Sequence, residues 1–352
     1  MTIFTTMYLT SLHKIKYISY KIALQILLRL PDFFFAALFT VIFPIYKALH
    51  KKRAYGRVEQ HLEKANKYVK EEGFPHLNAQ QINKLRNKKS LQDITARDVF
   101  HGIFWNAIDS YRGLAHIKNT SDSIVYENEY IIQNAIAECA AADKPIAAIS
   151  IHQGAFELLH RSLCRYSKHV HLITDSVGDS AFRDVLKELR SDPHLIEYHP
   201  EETSRLIREL FRTKGILAMV VDQGKHTKGN TVSLFGQPST LYLRLPKKVN
   251  DMGAGIVIFR TWTENDNSQS RSKRIVIRFE NYYPPKYDAL HSNEKHTGPA
   301  NGMPANSNEE RATATIDNSP LVTAIASEIE TWIAEHPEQW SWNYHGNFTT
   351  VL

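Results

Sequence analysis

Pro145-Ile-Ala-Ala-Ile-Ser-Ile-His-Gln-Gly-Ala-Phe-Glu157 passes from an apolar run into a polar turn within a single step. Ile146 to Ile151 is short, rich in β-branched residues and free of charge, the pattern of a strand covered on both faces in a parallel or mixed sheet. Gln153 and Gly154 permit a turn. From Ala155 to Tyr166, Phe156, Leu159 and Leu163 fall at helical spacing. His152 is thereby placed where a strand meets a helix, at the carboxyl edge where α/β sheets hold their ligands.

Five helical steps leave His152 and Glu157 roughly 140° apart, so the two cannot share one helical face. With His152 in the turn, Glu157 can fold back from the first helical residues and hold one ring nitrogen. An imidazole whose tautomer is fixed by a carboxylate can take a proton from an alcohol, as in general-base acyl transfer. A turn histidine beside a solvated glutamate is the plainer reading of the same pair.

Three further segments bear on that choice: Arg212-Thr-Lys-Gly-Ile-Leu-Ala-Met-Val-Val-Asp-Gln-Gly224, the loop Ser233-Leu-Phe-Gly-Gln-Pro-Ser-Thr240 and the terminal His336-Pro-Glu-Gln-Trp-Ser-Trp342. With His-x4-Glu after an apolar strand, their order and spacing resemble the lipid A late acyltransferases, within the wider His-x4-Asp/Glu superfamily of glycerolipid acyltransferases, over residues 20–348. The resemblance implies His152 as general base and Glu157 as its orienting acid. It also implies acyl carrier protein as donor without a further cofactor, and a phosphorylated glycolipid as acceptor. Arg190 matches the family's arginine position, and a guanidinium there could grip phosphate through two parallel hydrogen bonds or serve as a helix-end cation. Asp222, Gln223 and Lys225 follow the Ile216–Val221 strand as His152 follows its own. They fall at the same edge of the site, where Asp222 could equally brace a turn. Helices before the histidine help form the family's acyl pocket, which makes Phe104 and Trp105 candidate wall residues, although aromatics at helical spacing are commonly core. Around Asn343 to Asn347 the chain lacks most of the family's terminal basic charge, so the acceptor's sugar and phosphate contacts need not be shared.

The remaining chain fits this frame. At 352 residues it can build one large α/β domain. A net charge of +6 and a pI near 9.0 suit an anionic partner, and a membrane surface or phosphorylated lipid accounts for them without nucleic acid. Cys139 and Cys164 offer neither a disulfide framework nor metal spacing. Residues 1–55 hold the most apolar stretch, Phe33 to Tyr46, with Pro31, Asp32 and Pro44 punctuating it and basic residues on both flanks. This predicts a helix lying in, or spanning, an anionic membrane, a buried core helix being the alternative. The segment 56–352 is expected to be the acyltransferase domain, a mixed central sheet flanked by helices, with a flexible insertion at 284–320. From Glu59 to Tyr130 the pattern reads as helical and charged, interrupted at Gly73-Phe-Pro75.

The expected activity is transfer of a fatty acyl chain from acyl carrier protein to a hydroxyl of a lipid A-type precursor, at the bacterial inner membrane on its cytoplasmic side. A different lipid acceptor, such as a phosphoinositide mannoside or an amino-acid lipid, and a non-catalytic lipid-binding role are the alternatives.

Overall fold

The computed structural model describes residues 2–74, 91–116, 124–174, 179–223, 228–265, 273–291 and 316–342. Its centre is a seven-stranded sheet in the order β1-β9-β8-β2-β5-β3-β4. The strands are β1 (Ile124–Glu127), β2 (Ile146–Ser150), β3 (Val170–Ile173), β4 (Leu195–Tyr198), β5 (Ile216–Val220), β8 (Gly255–Asn265) and β9 (Lys273–Tyr283). All neighbours pair in parallel except β8 and β9, which are antiparallel, so the sheet is mixed and mostly parallel as expected. A separate hairpin joins β6 (Asn230–Leu234) to β7 (Gln237–Leu241).

β2 is the middle strand, and its almost wholly apolar run follows from that place. Ala147, Ile149 and Ile151 belong to the core on one face of the sheet, Ile146 and Ala148 to the core on the other. A strand covered on both faces favours apolar residues throughout, and the small Ser150 is the one polar side chain that β2 buries. Helices cover both sides: α1 (Thr2–Arg29), α2 (Asp32–His50), α3 (Gly56–Glu72), α4 (Ala96–His116), α5 (Glu129–Ala141), α6 (Leu159–Leu163), α7 (Ser180–Arg190), α8 (Thr203–Thr213), α9 (Arg244–Asp251), α10 (Tyr287–His291) and α11 (Pro320–Glu335).

Three expectations are corrected here. β1 interrupts the stretch read as helical, because a four-residue edge strand is too short to show a period of two. The helix expected at 155–166 is a 3-10 turn at Phe156–Leu158 followed by the single short helix α6. The loop at 233–240 lies in the β6–β7 hairpin, which turns through the left-handed Phe235 and Gly236. Of the insertion expected at 284–320, the described residues include α10, whose Asp288 accepts from the Leu321 amide of α11; residues 292–315 lie outside those described.

The N-terminal helices present two different faces. α1 docks on α7 through Lys16–Asp179 at 2.9 Å, Lys21–Glu188 at 2.5 Å and the Tyr17–Glu188 contact. Meanwhile Ile15, Ile18, Ile22 and Ile26 of α1 are exposed. α2 buries Phe35, Phe39 and Phe43 and exposes Phe33, Val41, Ile42 and Ile45. The continuous helical stretch Asp32–Glu72 is long and apolar enough to cross a membrane.

Candidate functional site

Two parallel strands in register build the site. Ser150 of β2 stands opposite Val220 of β5, and the Val221 amide donates to the Ser150 carbonyl at 2.9 Å. Two residues further along each strand come His152 and Asp222, which the register brings side by side at the carboxyl edge of the sheet. The pairing is a consequence of equal offsets from a shared ladder position.

The turn carrying His152 is pinned from behind by the chain's C-terminal segment. Gln153 is fully buried, bridges to Trp340 and donates through Nε2 to the Trp332 carbonyl at 2.8 Å. Gly154 has φ of +58° and lies so close to β8 that a Cβ would sit 2.4 Å from the Thr261 carbonyl oxygen. Only glycine meets both demands.

Asp222 is inaccessible to solvent and is gripped from two sides. The His152 backbone N–H donates to both carboxylate oxygens at 3.1 Å, and ring Nδ1 lies 2.7 Å from Oδ1. Trp340 Nε1–H donates to Oδ2 at 3.0 Å. Burial by itself pushes the Asp222 carboxyl up, but the His152 ring and these donors outweigh it and hold the group below the usual carboxylate range. The carboxylate therefore stays charged and fixes the imidazole with Nδ1 protonated, which makes Nε2 the basic nitrogen.

The acid that orients His152 is thus Asp222, and the expectation for Glu157 is corrected. Glu157 meets Arg190 instead, in a two-pronged ion pair with Nε and the terminal NH2 each 2.7 Å from a carboxylate oxygen. The 3-10 turn aims Glu157 toward the last residue of α7, while His152 leaves the sheet toward β5. Burial raises the Glu157 pKa and the Arg190 charge overrides it, so the carboxyl sits below its ordinary value. Arg190 has spent its fork on this carboxylate, a geometry that does not fit the expectation of an open phosphate grip.

His152, Glu157, Arg190 and Gln223 line one cavity of about 670 Å³, the size of a site for a small molecule or an acyl chain. Its wall is mainly apolar, with Phe156, Leu159, Leu172, Met219, Leu245 and Phe259, and His152 keeps 13% of its side chain exposed toward it. His160 also lines the cavity, and burial lowers its pKa to about 3, so its ring is neutral. Phe104 and Trp105 are elsewhere: α4 turns them toward α2, where both pack on Phe35, and Lys273 lies over the Trp105 ring. Lys225 lies outside the described residues. Among the described residues no group of histidine, cysteine and acidic side chains is arranged to hold a metal ion.

Sequence reasoning did not assign Trp340, although it lies in the quoted His336–Trp342 segment; its role depends on a contact 118 residues away in the chain. Tyr242, Arg244 and Lys248, which line the cavity from the β7–α9 region, carried no motif at all. No family model matches this chain, and a search of curated proteins finds no match either.

Proposed function

We propose that the protein is a membrane-associated O-acyltransferase that moves a fatty acyl chain from a carrier-protein thioester to a hydroxyl of a lipid A-type phosphorylated glycolipid, at the cytoplasmic side of the bacterial inner membrane. The observation that carries this reading is His152 in the wall of a mainly apolar cavity, held from behind by the buried Asp222 carboxylate. Nε2 of His152 takes the proton of the acceptor hydroxyl as its oxygen attacks the thioester carbonyl. The C–O bond forms, the C–S bond breaks, and the leaving thiolate recovers the proton from the imidazolium. Asp222 holds the ring through both steps and stabilises its charged form. No covalent acyl-enzyme is required.

The supports come from separate levels. The apolar wall suits a hydrocarbon chain. The exposed isoleucines of α1 and the apolar α2 suit an interfacial location beside a lipid substrate. The test is acyl transfer from acyl carrier protein by purified protein, with a lipid A precursor as acceptor. Transfer that His152→Ala abolishes supports the proposal, and transfer unchanged in that variant overturns it.

A further inference from the structure

The side chains lining the cavity are electrically lopsided. Among the described residues four are cations, Arg190, Lys228, Arg244 and Lys248, and one is a carboxylate, Glu157. Glu157 is consumed by Arg190 through both of its oxygens, so this pair is locally neutral. Asp222 carries its charge behind His152 and is not part of the lining. Three cations are left over, and among the described residues none of them is paired with a carboxylate. By contrast Lys247, on the same helix but away from the cavity, pairs with Asp288.

Helical spacing explains the arrangement. Arg244 and Lys248 are one turn apart on α9, so they share a face, and that face lines the cavity. Both are exposed, as is Lys228 just before β6. Tyr242, two residues before the helix, also lines the same wall. Cations gathered at a cavity with low-dielectric walls, with no carboxylate partner among the described residues, focus a positive potential into it, and an anionic ligand seated there would gain from all three.

We propose that Arg244, Lys248 and Lys228 form a subsite for a phosphate ester whose apolar or acyl-bearing remainder enters the cavity toward His152. A phosphate monoester carries close to two negative charges near neutral pH, and its oxygens match both the fork of an arginine and the point charge of a lysine. The assignment rests on the proposed function only for the direction of the ligand's tail. Two substrates of that reaction bear a phosphate ester: the acceptor's sugar phosphate, a monoester, and the carrier's pantetheine arm, joined to its protein as a phosphodiester with one negative charge, for which free 4′-phosphopantetheine is the probe.

The experiment measures binding to the full-length protein in neutral detergent by calorimetry, using glucose 1-phosphate and 4′-phosphopantetheine, with glucose and pantetheine as the phosphate-free probes. The variants are Arg244→Gln, Lys248→Gln and, as a control for net charge alone, Arg208→Gln, an exposed residue of α8 that does not line the cavity. The subsite predicts phosphate-dependent binding that weakens about tenfold in each cavity variant and is unchanged in Arg208→Gln. Binding of glucose 1-phosphate alone assigns the subsite to the acceptor, and binding of 4′-phosphopantetheine alone assigns it to the donor. Probes that bind no better than their phosphate-free forms, or an equal loss in Arg208→Gln, overturn the subsite. Because the readout is binding, its failure leaves acyl transfer to stand or fall by the His152 variant, and lack of transfer leaves the binding result intact.

Discussion

The Asp222 carboxylate holds His152 twice, through the backbone amide at 3.1 Å and ring nitrogen Nδ1 at 2.7 Å, across 70 residues of sequence. The histidine is therefore fixed in position and in tautomer by one buried group. Asp222→Asn keeps the shape and removes the charge, so an imidazolium forming in the transition state loses its partner. Transfer should fall on the order of 10²–10⁴-fold, mostly in kcat, while acceptor saturation changes little. Glu157→Gln should lower kcat less than Asp222→Asn does. Steady-state rates for both variants settle which carboxylate serves the base, and a larger kcat loss in Glu157→Gln would contradict the assignment.

Arg190 is predicted to act on stability before it acts on substrate. Arg190→Ala leaves the Glu157 carboxylate, 13% exposed, without its two donors, which should cost about 3–5 kcal/mol at neutral pH. The Glu157 pKa is depressed in the folded protein, so the stability it contributes is present above the unfolded carboxylate range and is lost as pH falls through its folded value. Urea unfolding at pH 7 and pH 4 should show the wild type losing part of its advantage over the variant at the lower pH. An equal gap at both pH values would mean that the ion pair is not the source.

Glu330 of α11 gives the opposite sign. Burial raises its pKa from 4.5 to about 7, against the pull of the Phe235 amide that donates to it at 2.7 Å. Between those values the folded state holds a proton that the unfolded chain has released, so stability falls as pH rises, by up to about 3 kcal/mol at pH 7. Glu330→Gln should remove that decline. Denaturation midpoints at pH 5 and pH 7 check it, and a variant with the wild-type slope would show that Glu330 is ionised throughout.

The α1 face is expected to touch lipid. Replacing Ile18 and Ile22 with Glu alters two side chains that are 54% and 55% exposed, so folding should be preserved. Flotation with vesicles containing anionic phospholipid should show much weaker binding of the double variant, because apolar contact is replaced by charge repelled from the surface. Undiminished flotation would place the membrane contact elsewhere.

How much of this was legible in the sequence differs by element. β2 and β5 were readable because strands buried on both faces are almost wholly apolar and free of charge, and each run ends abruptly at His152 or Asp222. Their pairing was not readable, since it depends on which strands are neighbours and in what register. That is why Glu157, near His152 in sequence, was assigned the role that Asp222 fills in space. The aromatic spacing at Phe104 and Trp105 was correctly helical, but periodicity gives a face and not the element it meets. The β6–β7 hairpin escaped because Pro238, Gly236 and polar residues dilute its alternation. The cationic face of α9 escaped because exposed lysines and arginines are ordinary until a cavity is known to lie beneath them.

The most direct test of the account is a single-turnover measurement of acyl transfer from acyl carrier protein to a lipid A precursor, by wild type and by a folded His152→Ala protein. The account predicts acyl product and stoichiometric free thiol with the wild type, and a rate lower on the order of 10²–10⁴-fold with the variant. Product formed at equal rates by the two proteins, or no thiol released by the wild type, would contradict it.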